Sequence, residues 1–303
     1  MNKTIKKILM PFYVKTQKIT GSLFPISHSR RLYKKSIGRK CDLKNPQALT
    51  EKLMYYKIHL YWKNQIVSDL ADKYKVREFV SNAGLEKILN PIYGCWDKPE
   101  DIDWDKLPNK FVLKLNTGSG FNLFCKDKES FDKRKAVKQL KKWIRMKYGT
   151  QYAEQGIYSK IKKRIIAEQY LEDLDKKGVS DYKFFCSYGE VKFLFTACGR
   201  EDNETKFDYY SIDWDWINVK NFFPNNGPVK KPDNFNLMVK YASQLSKRFP
   251  LVRVDFYDLG GKIYFGEMTF THFGCINGFD PDEYDYIFGK MLPDVKVANR
   301  ILE

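Results

Sequence analysis

The stretch Phe249-Pro-Leu-Val-Arg-Val-Asp-Phe-Tyr-Asp-Leu-Gly-Gly-Lys-Ile-Tyr-Phe-Gly-Glu-Met-Thr-Phe270 constrains the chain most, because strict alternation around paired glycines reads as a β-hairpin. In its first strand Val252, Val254 and Phe256 take one face, and Arg253, Asp255 and Tyr257 take the other. Loop length decides where Glu267 lands. A two-residue Gly260-Gly261 turn puts Asp255 and Glu267 on opposite faces, whereas a three-residue loop from Leu259 to Gly261 gathers Arg253, Asp255, Glu267 and Thr269 on one. The second register makes the two carboxylates diagonal neighbours, about 7–8 Å apart at the backbone. That separation, with an Arg alongside, suits one or two hard cations. An ordinary half-solvated hairpin with a charged face is the alternative.

With 303 residues, 43% of them hydrophobic, the chain can bury a large core, as one large or two to three small domains. Its net charge of +17 is local. Residues 1–41 hold 11 Lys and Arg and no acid, residues 126–164 hold 14 against 4 acids, and the remainder is slightly acidic. Local charge implies local partners. Six scattered cysteines without C-x-x-C spacing fit a reducing compartment and neither a zinc site nor a disulfide framework. No apolar run reaches the length of a membrane span, and Ile8 to Tyr13 is too short for a signal segment, so the expectation is a cytoplasmic protein.

Near the start, Ile5, Ile8, Leu9 and Phe12 fall at helical spacing opposite Lys3, Lys6 and Lys7. This suits an interfacial helix on the inner face of an anionic membrane, and equally a basic tail or a helix packed on the body. Helices are expected from Thr50 to Tyr61 and from Asp69 to Ser81, the second stopped by Gly84. Residues 110–115 form an apolar strand leading into Asn116-Thr-Gly-Ser-Gly-Phe-Asn-Leu-Phe124. Glycines there let backbone N–H groups close on phosphate oxygens beside a lysine from the strand, although an ordinary hairpin turn reads equally well. Residues 131–148 form a helix that is basic on all but one face. A strand over 164–172 then runs into an acidic loop, and a hairpin turns about Tyr188-Gly189. Finally, a helix from Pro232 to Phe249 leads into the C-terminal hairpin. This order gives an α+β fold with two lobes.

Lys114 with its glycine loop, Glu168-Gln-Tyr-Leu171, Asp181-Tyr-Lys183, and Arg253-Val-Asp255 paired with Glu267 follow one another as in the ATP-grasp superfamily. Thr50-Glu-Lys-Leu, Asp72-Lys-Tyr-Lys-Val-Arg77 and Phe249 to Tyr257 resemble in particular its branch related to the teichuronopeptide biosynthesis protein. The likeness runs from about residue 30 to 290. It implies ATP and Mg²⁺ as cofactors, and activation of a carboxylate as an acyl phosphate that an amine then attacks. By the same resemblance Lys114 and Lys73 meet phosphates under a flap of Gly118, Ser119 and Gly120. Glu168, Gln169, Tyr170 and Leu171 form the hinge that reads adenine, and Glu172 or Asp175 takes the ribose hydroxyls. Lys183 and Arg200 face the γ-phosphate, Arg253 stabilises the acyl-phosphate step, and Asp255 and Glu267 ligate Mg²⁺. Thr269 stands where many ATP-grasp enzymes carry Asn, and is the weaker ligand. The loop from Thr271 to Gly278 lines the acceptor pocket, with His272 as an acid–base candidate.

The expected division is a basic, mainly helical region (1–84), an N-lobe with the flap and basic insert (85–168), and a C-lobe with the metal hairpin (169–303). The expected function is an ATP-dependent ligase that modifies a bacterial surface polysaccharide, joining a uronic-acid or amino-acid carboxylate to an amine. Its partners would be an acidic glycan or lipid-linked saccharide and an amino acid or amine. A sugar kinase of the same fold is one alternative. A glycosyltransferase using Asp101-Ile-Asp103 or Asp213-Trp-Asp215 is another. Nucleic acid ranks last as a partner, because it leaves Asp255 and Glu267 without a purpose.

Overall fold

Two antiparallel sheets organise the chain, and each gathers its own apolar cluster. A computed structural model describes residues 14–17, 19–172, 180–199 and 204–298. After helical residues that end at Leu23 come α1 (Pro25–Ile37), α2 (Leu49–His59), α3 (Gln65–Ala71) and α4 (Val76–Asn82). The single helix expected over 69–81 is therefore broken. Asp72 adopts an extended backbone, and its Oδ1 accepts from the N–H groups of Tyr74 (2.8 Å) and Lys75 (3.4 Å). A short acidic side chain bonding the backbone ahead of it competes with the helical ladder and stops it here. The N–H of Lys73 turns instead to the carbonyl of Asn116, at 2.7 Å.

The smaller sheet contains β1 (Ile92–Trp96), β2 (Phe111–Leu115), β3 (Asn122–Cys125) and β4 (Ile165–Gln169), in the order β1-β4-β2-β3. Between β3 and β4 lie α5 (Lys133–Arg145) and the short α6 (Gln155–Tyr158). Asp132 caps α5 by accepting from the N–H of Lys135. Leu140 of α5 is buried with Phe111, Leu113, Leu115, Ile165 and Ala167, while its remaining surface is largely basic.

The larger sheet contains β5 (Ser180–Ser187), β6 (Glu190–Cys198), β7 (Lys206–Tyr210), β8 (Trp216–Ile217), β9 (Val252–Leu259) and β10 (Lys262–Thr269). Their order is β10-β9-β5-β6-β7-β8. Its back face, with Phe184, Val254 and Phe256, packs on α7 (Phe235–Ser246). The chain continues through α8 (Glu283–Lys290) and α9 (Val295–Ala298). Residues of α1 to α4, including Tyr33, Leu53, Tyr56 and Val80, share one core with this sheet. The chain is thus α+β, as expected.

The C-terminal hairpin corrects one expectation and preserves its consequence. Leu259 pairs with Lys262, so the turn is the two-residue Gly260-Gly261, with both glycines at positive φ. A bulge at Gly266 then adds one residue to β10 and shifts the register between Phe265 and Glu267. Phe265 stays opposite Phe256 on the back face, and Glu267 comes directly opposite Asp255 on the front. A Cβ at position 266 would lie 3.1 Å from the Asp255 carbonyl oxygen, so the bulge is a tight fit for anything but glycine.

Candidate active site

Pairing across three strands sets two rows of side chains on the front face of the larger sheet. Lys183, Asp255 and Glu267 form one row, and Phe185, Arg253 and Thr269 the next. Arg253 holds both rows together. Its Nε and one terminal nitrogen grip the Asp255 carboxylate at 2.7 Å each, and that terminal nitrogen also donates to Glu267 (2.9 Å) and Thr269 (3.0 Å). The Thr269 hydroxyl donates a hydrogen bond to Glu267 at 2.9 Å. Lys183 is buried between Asp181 (2.8 Å) and Asp255 (2.5 Å). It therefore faces carboxylates rather than an open cleft.

The break at Asp72 brings Lys73 to this face. Its ammonium lies 2.7 Å from the Gly118 carbonyl and 3.3 Å from Glu267, joining the glycine loop to the acidic pair. Burial alone would raise the Glu267 carboxyl, but Lys73, Arg253 and Lys183 hold it well below the usual carboxylate range. Asn116 anchors the start of the loop through Arg164 N–H (2.7 Å) and the Lys162 carbonyl (3.0 Å). Gly118 lies at φ +83 over Phe121 and Tyr148. Ser119 and Gly120 are exposed, and Gly120 is also at positive φ.

On the smaller sheet Lys114 donates to Glu168 at 2.6 Å. Burial would raise the Glu168 carboxyl, but Lys114, helped by Asn90 and Arg77, brings it below the ordinary value. At the end of β4 the Gln169 N–H is taken by the Pro91 carbonyl and its carbonyl by Asn90 Nδ2. Tyr170 is buried edge-on to Phe124, Leu171 is half-buried, and Glu172 pairs with Lys110 at the surface. Asp175 and Arg200 lie outside the described residues, as does the basic helix expected over residues 3–13.

His272 is buried edge-on to Phe185, and its Nδ1 lies 2.6 Å from Arg253. A guanidinium only donates, so Nδ1 accepts and the ring proton sits on Nε2. Burial, then the charges of Arg253 and Lys183, push its pKa well below 6.5. The imidazole is thus a neutral acceptor that supports Arg253. Because the unfolded chain binds a proton that the folded ring refuses, stability is complete above the unfolded pKa and falls as pH drops toward the folded value. Melting temperatures should therefore decline from about pH 6.5 downward, and His272→Gln should flatten that slope. An unchanged slope in the variant would assign the effect to His28 and His59, whose pKa values burial also lowers.

The sequence reading passed over a second buried cluster behind this face. Lys57 of α2 is fully buried and donates to the carbonyls of Tyr152 (2.6 Å) and Gly274 (3.2 Å). Glu154 is buried nearby and accepts from the Thr271 hydroxyl at 2.5 Å. Burial pushes the Glu154 carboxyl up, against the opposing charge of Lys57. No pattern in the sequence marks this pairing, since a single lysine in a helix ordinarily reads as solvated.

The carboxylates Asp181, Asp255 and Glu267 are matched by the cations Lys73, Lys183 and Arg253. Hard oxygens of Asp255 and Glu267, opposed on adjoining strands with the Thr269 hydroxyl beside them, fit a hard divalent cation. Among the described residues no group of three His, Cys, Asp or Glu forms a metal cluster. An ion held here would complete its shell from phosphate oxygens and water, while the displaced cations would need an anion to meet.

A family model described as TupA-like ATPgrasp matches residues 51–293. No curated protein matches the chain. Among solved structures, D-alanine–D-alanine ligase from Bacillus anthracis complexed with ATP is similar at 16% identity and TM-score 0.40, over 67% of this chain and 55% of that one. N5-carboxyaminoimidazole synthetase from Staphylococcus aureus complexed with ADP gives 14% and 0.41, over 66% and 44%. L-amino acid ligase from Bacillus licheniformis gives 15% and 0.42, over 66% and 42%. The chain thus spans about half the length of these structures.

Proposed function

The chain belongs to the TupA-like ATP-grasp family, and on that premise we propose that it is an ATP-dependent carboxylate–amine ligase acting on a bacterial surface glycan. One observation carries the reading. Lys73 touches both the glycine loop and Glu267, so a phosphate-type loop and an acidic pair from two different sheets converge on one ammonium. A phosphate chain laid there gives Lys73 and Lys114 an anionic partner, and a cation taken up by Asp255 and Glu267 would release Lys183 from Asp255 to face the same phosphates.

In this reading Gly118, Ser119 and Gly120 close over the phosphates, and the backbone from Glu168 to Leu171 meets adenine. Glu172 or Asp175 takes the ribose, and Arg200 joins Lys183 near the γ-phosphate. Asp255, Glu267 and Thr269 would hold Mg²⁺, which would supply positive charge to offset that of the phosphates. A substrate carboxylate oxygen bonds to the γ-phosphorus as its bond to the ADP oxygen breaks. The amine nitrogen then attacks the acyl carbon, the phosphate leaves with the bridging oxygen, and the proton lost by the nitrogen passes to that phosphate. Arg253, kept in place by Asp255 and His272, stabilises the oxyanion formed in that step. Positioning and electrostatics supply the catalysis. The basic surface of α5 suits an acidic glycan or lipid-linked saccharide as the carrier of one substrate.

Titration of a non-hydrolysable ATP analogue with Mg²⁺ tests this. Tight binding is expected for the wild type, weakened at least about tenfold by Lys114→Ala, since a charge-assisted phosphate contact is worth over 1.4 kcal/mol. Mg²⁺ alone should give little heat, because three cations already neutralise the carboxylates. ADP release should then require both a uronic or amino acid and an amine, with phosphate set free. Phosphate retained on the product would identify a kinase. Strong Mg²⁺ binding without nucleotide, or no nucleotide binding at all, would sink the proposal.

A further inference from the structure

Among the described residues, four large apolar side chains are exposed within one short stretch: Ile19 (48% exposed), Leu23 (66%), Phe24 (64%) and Ile26 (51%). Single exposed apolar residues are ordinary on a protein surface, but four within eight positions are a concentration that calls for a cause. The corner lies where a helical turn ending at Leu23 gives way, through Phe24, to α1. It is bolted to the body. Gln155 donates to the Gly21 carbonyl, and His28 Nε2 lies 2.8 Å from the Gln151 carbonyl oxygen. Gly21 itself packs so closely that a Cβ there would lie 1.9 Å from the Thr150 oxygen. Arg31 crosses the turn to Gln17 at 3.0 Å. The apolar tip is therefore presented by fixed backbone.

Its charge surroundings select the occupant. Exposed Lys15 precedes these residues in the chain and exposed Arg30, Lys34 and Lys35 follow them, and the first 41 residues contain no acid. A second copy of the chain would bring two such cationic segments face to face, which repels. An apolar segment flanked along the chain by exposed lysine and arginine matches a bilayer carrying acidic headgroups, with the side chains entering the acyl boundary and the cations meeting phosphates. We infer that the corner from Ile19 to Ile26 is a docking surface for an anionic membrane, led by Leu23 and Phe24. The anchoring segment Thr150–Gln155 also carries Glu154, which bonds Thr271 just beyond β10. Docking would thus hold the acceptor side of the candidate site near the lipid surface.

Vesicle flotation of the full chain tests this without nucleotide, so its outcome is independent of the ligase reading. Vesicles of phosphatidylcholine with phosphatidylglycerol should carry the protein, and phosphatidylcholine alone should not. High salt should release it. Leu23→Ser with Phe24→Ser should reduce the bound fraction at least about tenfold, as loss of two buried apolar groups requires, without changing the melting temperature. Equal binding by the double variant would place the contact elsewhere. Binding to neither vesicle, or self-association that the double variant abolishes in sedimentation, would also overturn the inference.

Discussion

Arg253→Ala is expected to lose about 3–5 kcal/mol of folding stability, the usual penalty for removing one partner of a buried ion pair, here Asp255, and to reduce ATP-driven turnover about 100- to 1,000-fold. Both effects come from one geometry. The guanidinium satisfies Asp255 through two nitrogens and reaches Glu267, Thr269 and His272 with the same fork. Alanine leaves Asp255 with Lys183 and Glu267 with Lys73 as their remaining cations. Arg253→Lys separates the two consequences. An ammonium keeps the charge, so most of the stability should return, but it cannot span this set of acceptors. Turnover of the lysine variant should therefore stay low while its urea midpoint approaches the wild type. If turnover and stability recovered together, the role of Arg253 would be structural and the oxyanion assignment would fall.

Alternation along β9 was legible in the sequence, and with it the shared face of Arg253 and Asp255. The register of β10 was not. Two- and three-residue loops around Gly260-Gly261 are equally good chemistry, and only one of them put Glu267 on the correct face without help. The structure uses the shorter turn and recovers the face with a bulge. Gly266, directly before Glu267, was the available signal, since a lone glycine inside a strand often marks a bulge.

Two other features depended on competition or distance. The helical spacing from Asp69 to Ser81 hid a break that local hydrogen bonding by Asp72 imposes, and that break delivers Lys73 to the site. The N-terminal helices read as a region of their own because their partners in the larger sheet are more than a hundred residues away. Charge runs were visible by counting, yet only the folded corner shows that exposed apolar residues accompany the first of them.

Lys57→Met should produce the largest change among residues outside the candidate site. The substitution keeps the side chain's length but removes a charge that serves the Tyr152 and Gly274 carbonyls and opposes Glu154. Losing hydrogen bonds to a buried charge and uncovering a carboxylate costs about 3–5 kcal/mol, or roughly 10 °C in melting temperature. The loop it anchors is already strained, with Phe273 and Cys275 at φ 46 and 66 around Gly274. Slackening that loop would shift His272, and with it Arg253, so kcat should drop while KM for ATP holds. Glu154→Gln provides the internal control. It keeps an acceptor for Thr271 and removes the charge, so the double variant should be more stable than the sum of the two single losses predicts. Simple additivity would mean that Lys57 and Glu154 act separately, leaving Lys57 as an anchor of carbonyls alone. A full fall in stability with unchanged kcat would uncouple the Gly274 anchor from the orientation of Arg253.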